Sequence, residues 1–190
     1  MNTTTYRNIT FRPLQEADLP LLWRWLQQPH VAQWYTSGST FDEIKTKYLA
    51  YINESKPTHA FVAMLDGTDI GYLQCYRLDD YPDYKKIIAI EDNACGIDMF
   101  IGNKAYIHQG IGPLMIIKFL DTLAFPLTNA DSCYLSPDPK NEAAKKAYVK
   151  VGFTYIKTIV NDGKDEYIMR ATPAAIAAKA KELVEKRHGT

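Results

Sequence analysis

Residues 95 to 124 constrain this chain more than any other stretch. Cys95-Gly96-Ile97-Asp98-Met99-Phe100-Ile101 is a short apolar run with β-formers. After a connection through Gln109, Gly110-Ile111-Gly112-Pro113 opens a segment whose Leu114, Ile117, Phe119, Leu120 and Leu123 recur close to a helical period. The order is strand, glycine loop, helix. Gly110 and Gly112 let backbone N–H groups turn inward with no Cβ in the way, and the helix adds the positive end of its dipole, so the loop suits an anionic phosphate. Pro113 fits the first helical turn, where its missing N–H had no intrahelical partner. An ordinary strand-to-helix turn uses the same residues, so the loop alone does not decide its role. Asp98 is the exception in the apolar strand: burying it unpaired is costly, which points to function.

With 190 residues, 46% of them hydrophobic, the chain has material for one full core, and a single domain over 1–190 is expected. Its 22 basic and 22 acidic side chains give a formal net charge of zero, which argues against a general nucleic-acid binder. No apolar run approaches membrane-spanning length, and Met1-Asn2-Thr3-Thr4-Thr5-Tyr6-Arg7 lacks the apolar centre of a signal peptide, so no membrane partner and a cytoplasmic location are expected. Cys75, Cys95 and Cys133 are odd in number, lack Cys-x-x-Cys spacing and lie in strand-like contexts. They read as reduced core thiols, with no metal site.

Along the chain, Ile9 to Leu14 reads as a first strand, and Asp18 as the N-cap of a short helix carrying Leu19, Leu22, Trp23, Trp25 and Leu26, ended by Pro29. His30 to Tyr35 is an aromatic-rich connection into Ser37-Gly38-Ser39. Its Trp34 and Tyr35 either cover the core edge or wall a ring-shaped substrate. Thr40 and Glu43 form a capping box for a second helix with Ile44, Tyr48, Leu49 and Ile52 on one face. His59 to Leu65 and Ile70 to Tyr76 pair as a hairpin across Asp66-Gly67. A loop from Asp79 to Asn93 follows, and six carboxylates (79, 80, 83, 91, 92, 98) face two lysines (85, 86) between Asp79 and Asp98. That is either a solvated loop or an acidic mouth for a cationic substrate. Ser132 to Leu135 is a short strand. Asn141 to Val149 is a helix with Lys140, Lys145, Lys146 and Lys150 around it, either a wet face or phosphate contacts. Phe153 to Val160 pairs with Glu166 to Arg170 across Asn161-Asp162-Gly163, and an alanine-rich helix closes the chain over about 173–187. The fold class is α+β around one central, mixed, mostly antiparallel sheet flanked by helices.

Asn141, Ala144, Tyr148, Gly152 and Phe153 keep the spacing Asn-x-x-Ala-x-x-x-Tyr-x-x-x-Gly-Phe. With the glycine loop, this segment resembles the GNAT superfamily of acetyl-coenzyme A dependent N-acetyltransferases, and the resemblance covers roughly residues 9 to 170. It departs at Ile107, where the family has Gln or Arg. The resemblance implies that acetyl-coenzyme A is the co-substrate, with its pyrophosphate at Gln109, Gly110, Ile111, Gly112 and Pro113. The pantetheine would lie along Met99, Phe100 and Ile101, and Asn141, Ala144 and Tyr148 would line the arm and the thiol. Ile70-Gly71-Tyr72-Leu73-Gln74-Cys75-Tyr76, Gly96-Ile97-Asp98 and Trp34-Tyr35 are similar to the aminoglycoside 6'-N-acetyltransferase branch. That likeness implies a cationic small-molecule amine as acceptor, Asp98 and Tyr148 as catalytic residues, and Trp34, Tyr35, Gln74, Tyr76, Asp83, Asp98 and Ser136 as acceptor contacts. At Ser136 the branch has an aspartate.

The reading is an N-acetyltransferase acting by direct attack in a ternary complex, since none of the three cysteines has the base and electropositive setting of a nucleophile. Siderophore or polyamine acyl transfer is the near alternative. An acetyl-coenzyme A sensor and a protein N-acetyltransferase are alternatives of other classes.

Overall fold

The computed structural model describes residues 3–35 and 40–185. The expected Ser37-Gly38-Ser39 loop and the last two residues of the helix expected over 173–187 lie outside them. A helix that the sequence reading did not anticipate, α1 (Thr3–Asn8), leads into β1 (Ile9–Pro13). Then come α2 (Leu19–Leu26), the single turn α3 (Pro29–Ala32), α4 (Phe41–Ile52), β2 (Thr58–Leu65) and β3 (Thr68–Arg77). Next are α5 (Pro82–Ile87), β4 (Ala94–Ile101), α6 (Ile111–Phe119), a π turn (Leu120–Ala124) and α7 (Phe125–Thr128). The chain finishes with β5 (Ser132–Leu135), α8 (Glu142–Val151), β6 (Thr154–Asn161), β7 (Lys164–Ala171) and α9 (Pro173–Glu185).

The strands form one seven-stranded sheet in the order β1-β2-β3-β4-β5-β7-β6. Every neighbouring pair is antiparallel except β4 and β5, which run parallel and pair only from Ala94↔Ser132 to Gly96↔Tyr134. One face of the sheet packs on α6, the π turn and α9 through Ile9, Leu73, Cys75, Ile97, Met115, Phe119 and Ile176. The other packs on α2, α3 and α4 through Leu22, Trp25, Val31, Ile44, Tyr48, Tyr72 and Phe100. The Thr40–Glu43 capping box forms as expected, with the Thr40 hydroxyl accepting from the Glu43 N–H at 3.3 Å.

Several local expectations change. Asp18 does not cap α2; its backbone is already helical, and its carboxylate is gripped by both Arg12 Nη atoms at 2.6 and 2.9 Å. A bidentate guanidinium outcompetes a cap bond, and the same Arg12 reaches Asp69 at 3.0 Å, tying β1 to β3. Residues 79–93 are not all loop: Pro82 starts α5, and Asp79 is held by Lys85 at 2.7 Å and Arg77 at 3.0 Å. The stretch Ile111–Thr128 is, against expectation, long and apolar enough to cross a membrane by length and composition. Here it is the core helix, with Ile111, Leu114, Met115, Ile116, Ile117 and Phe119 all buried. Its Lys118 Nζ donates to the carbonyls of Tyr6, Arg7 and Ile9 at 3.0, 2.9 and 2.5 Å, satisfying the end of α1. The three cysteines are free and buried, as expected.

Close approach explains three glycines beyond the loop, Gly71, Gly96 and Gly102. A Cβ at Gly102 would overlap the Trp25 ring, whereas at Gly112 it would meet nothing nearer than Ile101 Cδ1 at 3.8 Å. Gly102→Ala is therefore expected to lose about 1–3 kcal/mol by overpacking. Gly112→Ala is expected to stay close to the parent in urea denaturation, and equal midpoints for the two variants would refute the contact.

Candidate active site

Beyond Gly96 the two central strands part. The Gly102 N–H bonds the Ile70 carbonyl at 2.9 Å, so the even-numbered residues of β4 hydrogen-bond β3 and the odd ones turn their N–H and C=O the other way. With β5 paired only through Gly96, that edge of Ile97, Met99 and Ile101 has no strand beside it. Two side chains take the carbonyls: the Tyr35 hydroxyl donates to Met99 O, and His30 Nε2 donates to Ile101 O, both at 2.9 Å. The α3 turn is thus pinned to β4, and Tyr35 packs edge-on against Phe100 with ring centroids 5.0 Å apart.

The split opens a cavity of about 650 Å³. Of the expected cofactor residues, Met99, Phe100, Ile101, Gly112, Asn141, Ala144 and Tyr148 line it. Gln109, Gly110, Ile111 and Pro113 do not, and the Gln109 side chain is engaged with the Ala105 carbonyl. Gly110, at φ +73°, turns the chain into α6 in the left-handed region, so the first N–H groups of the helix are presented without intrahelical partners. Asn141 caps α8, its Oδ1 accepting from the Ala144 N–H at 3.0 Å. These unpaired N–H groups, the helix dipole and the open space at Gly112 fit a phosphate and an amide-bearing arm.

Of the expected acceptor residues, Trp34, Tyr35, Gln74, Asp98 and Ser136 line the cavity, while Tyr76 and Asp83 do not. The Tyr76 ring lies flat under Gly96 and packs on Tyr81, and Asp83 is exposed on α5. The acidic mouth does not form there: Asp79 is ion-paired, and Asp92 accepts from Ser132 and Tyr134 and pairs with Arg170. Asp98 sits opposite Gln74 in the β3–β4 register. Tyr72 donates to Gln74 Oε1 and Gln74 Nε2 donates to Asp98 Oδ2, each at 2.7 Å. Burial raises the Asp98 pKa above the usual aspartate value, helped by Glu166 and opposed by Gln74 and Lys47. Burial likewise raises Tyr148, with Asp98 adding to it, so its phenol stays protonated. The Tyr148 hydroxyl has no hydrogen-bond partner among the described residues.

Sequence reasoning missed His30, Lys47, Tyr84 and Glu166. His30 and Lys47 line the cavity. Tyr84 bonds Ser136 Oγ and Glu166 Oε2, each at 3.0 Å, bringing β7 to the rim. The half-burial of Glu166, beside Tyr84 and Asn161, is a signal only the fold reveals.

What this fold and cavity define is an acyltransferase of the GNAT type. A family model described as "Acetyltransferase (GNAT) domain" matches residues 15–160, and the chain belongs to that family. It is an acetyl-coenzyme A dependent N-acetyltransferase. Among its relatives, the aminoglycoside N(6')-acetyltransferase type 1 of Klebsiella pneumoniae is 26% identical over 90% of this chain and 87% of the relative. An N-hydroxyputrescine acetyltransferase of Acinetobacter baumannii is 26% identical over 64% of the chain and 56% of its own length. Among solved structures, aminoglycoside acetyltransferase AAC(6')-Ib with coenzyme A and kanamycin is 26% identical at a TM-score of 0.79, covering 90% of this chain and 99% of that one.

The raised Asp98 pKa has a consequence for stability. An unfolded aspartate loses its proton near pH 3.9, whereas folded Asp98 holds it to higher pH. Between the two values the folded state binds more protons, so stability falls as pH rises through that window. Asp98→Asn, which can still accept from Gln74, is expected to melt above the parent at pH about 7–8, by about 2–4 °C per kcal/mol recovered, and to converge with it below pH about 4. A melting point at neutral pH equal to or below the parent's would contradict the burial cost.

Proposed function

We propose that the protein moves acetyl from acetyl-coenzyme A to a primary amine of an aminoglycoside-like acceptor, at a 6'-type amino group, by direct attack in a ternary complex. The observation that carries this is Asp98: a half-buried carboxylate with one oxygen held by Gln74, facing the same cavity as the Tyr148 hydroxyl and the unpaired edge of β4. Support comes from relatives named for aminoglycoside N(6')-acetylation and for kanamycin binding.

Acetyl-coenzyme A supplies an acetyl group activated as a thioester. The N–H groups from Gln109 to Gly112 would hold its pyrophosphate; the Met99 and Ile101 N–H groups, with Asn141 and Ala144, would hold its amide-bearing arm. An ammonium has no lone pair, so the acceptor must be drawn in as a cation and deprotonated at the reacting nitrogen. Asp98 Oδ1 does the first by charge and accepts the proton directly or through water, and its raised pKa makes it a stronger base than an ordinary aspartate. The protonated Tyr148 donates to the departing thiolate. Trp34, Tyr35 and Ser136 contact the acceptor. A thiol nucleophile is disfavoured, because all three cysteines are buried and none is among the residues lining the cavity; burial pushes Cys75 up to about 12 and Cys133 well up, while hydrogen bonds with Cys133 and Thr128 lower Cys95. We read the chain as one acetyltransferase domain working in a reducing cytoplasm.

A second reading, a smaller polyamine-type acceptor, is favoured by one observation: Asp98 and Asp138 are the only carboxylates among the described residues lining the cavity. Thiol release measured with kanamycin, putrescine-type amines and peptides separates these readings. Release with peptides alone would overturn both small-molecule readings.

Two variants test the roles. Tyr148→Phe is expected to lower kcat by roughly a hundredfold with cofactor affinity nearly intact, as for loss of a general acid. Turnover within about twofold of the parent would remove that role. Gly112→Ala puts a methyl group into the cavity near Ile101 without burdening the fold. It is expected to weaken coenzyme A binding roughly tenfold, about 1.4 kcal/mol, by calorimetry. Unchanged affinity would move the cofactor elsewhere.

A further inference from the structure

The acceptor half of the cavity contains a cation. Lys47, on α4, is the only lysine or arginine among the described lining residues, sharing that wall with Tyr48, Gln74 and Asp98. Its neighbour Lys45 pairs with Glu16 at 3.7 Å, but Lys47 has no ion pair or hydrogen bond among the described residues. Its Nζ lies 5.3 Å from the centroid of the Tyr48 ring, whose edge packs on Tyr72 beneath Asp98's hydrogen-bond chain. Burial and Lys56 lower its pKa, while Asp98 raises it.

We infer that Lys47 is a specificity-determining residue that sets how much positive charge an acceptor can carry. This deepens the reading of Asp98 as the acceptor carboxylate and rests on it. Lys47 places a positive charge in the same cavity as Asp98 and Asp138. One ammonium at Asp98 is drawn by the carboxylate and repelled by the lysine. Each additional ammonium on the same molecule adds a further repulsion from Lys47, while Asp138 is the only other carboxylate among the described lining residues. Between two unit charges in a largely aqueous cavity, each such repulsion is roughly a two- to sixfold effect on affinity. Among aminoglycoside-like acceptors Lys47 therefore weighs against each further ammonium, and neutralising it favours the more highly charged of them.

The experiment is steady-state kinetics at low salt with acceptors carrying one, two and several amino groups, ending in kanamycin, for the parent, Lys47→Gln and Lys47→Arg. Lys47→Gln is expected to lower KM by a factor that grows along the series, Lys47→Arg to follow the parent, and added salt to compress the trend. Coenzyme A affinity is expected to be the same in all three. A KM change of one size for every acceptor, or an arginine variant that behaves like glutamine, would show packing on Tyr48 and overturn the inference while leaving the acceptor site standing. A parent that acetylates none of the series would bring down the reading of the site, and the inference with it.

Discussion

The short parallel pairing of β4 with β5 is the constraint on which the rest of the molecule turns. β5 has four residues, and Pro137 and Pro139 follow it, so it cannot extend a ladder beside the outer half of β4. Backbone groups at such a gap must find other partners or remain open to a ligand. The carbonyls of Met99 and Ile101 are given to Tyr35 and His30, while the N–H groups on that edge face the cavity. One missing stretch of strand thereby fixes the position of α3, the aromatic wall and the depth of the site.

Asp98 lies at the point of greatest electrostatic tension. Its strand neighbours are apolar, its one hydrogen bond comes from a glutamine already accepting from Tyr72, and the nearby charges of Lys47 and Glu166 act in opposite directions. The chain Tyr72–Gln74–Asp98 orients one oxygen and leaves the other toward the cavity. The Tyr48, Tyr72 and Phe100 rings beneath it hold that geometry, with centroid separations of 5.4 and 5.5 Å.

Much of this was legible in the chain itself. Period-2 and period-3.6 patterns, the Asp66-Gly67 turn, the Thr40–Glu43 box and the glycine loop supplied most of the element order, because each is a local signal. What escaped depended on which side chains the fold brings together. Asp18 looked like a cap until Arg12, six residues earlier, took its carboxylate with both nitrogens. The carboxylates of residues 79–92 looked like a substrate mouth because composition does not reveal that Arg77, Lys85 and Arg170 pair with Asp79 and Asp92, or that none of the five lines the cavity. Lys47 carries no signal in the sequence, and only the fold places it in the same cavity as Asp98. Helix α1 carried no apolar period, since its end is held by a side chain from α6.

That last contact bears on the order in which the molecule assembles. The Lys118 ammonium closes on carbonyls that precede it by 109 to 112 positions, so α1 gains its anchor only after more than half of the chain has been synthesised. A six-residue helix does not persist alone in water. During synthesis α1 must therefore wait as coil, and β1 behind it stays an unguarded edge until α6 arrives to fasten the two.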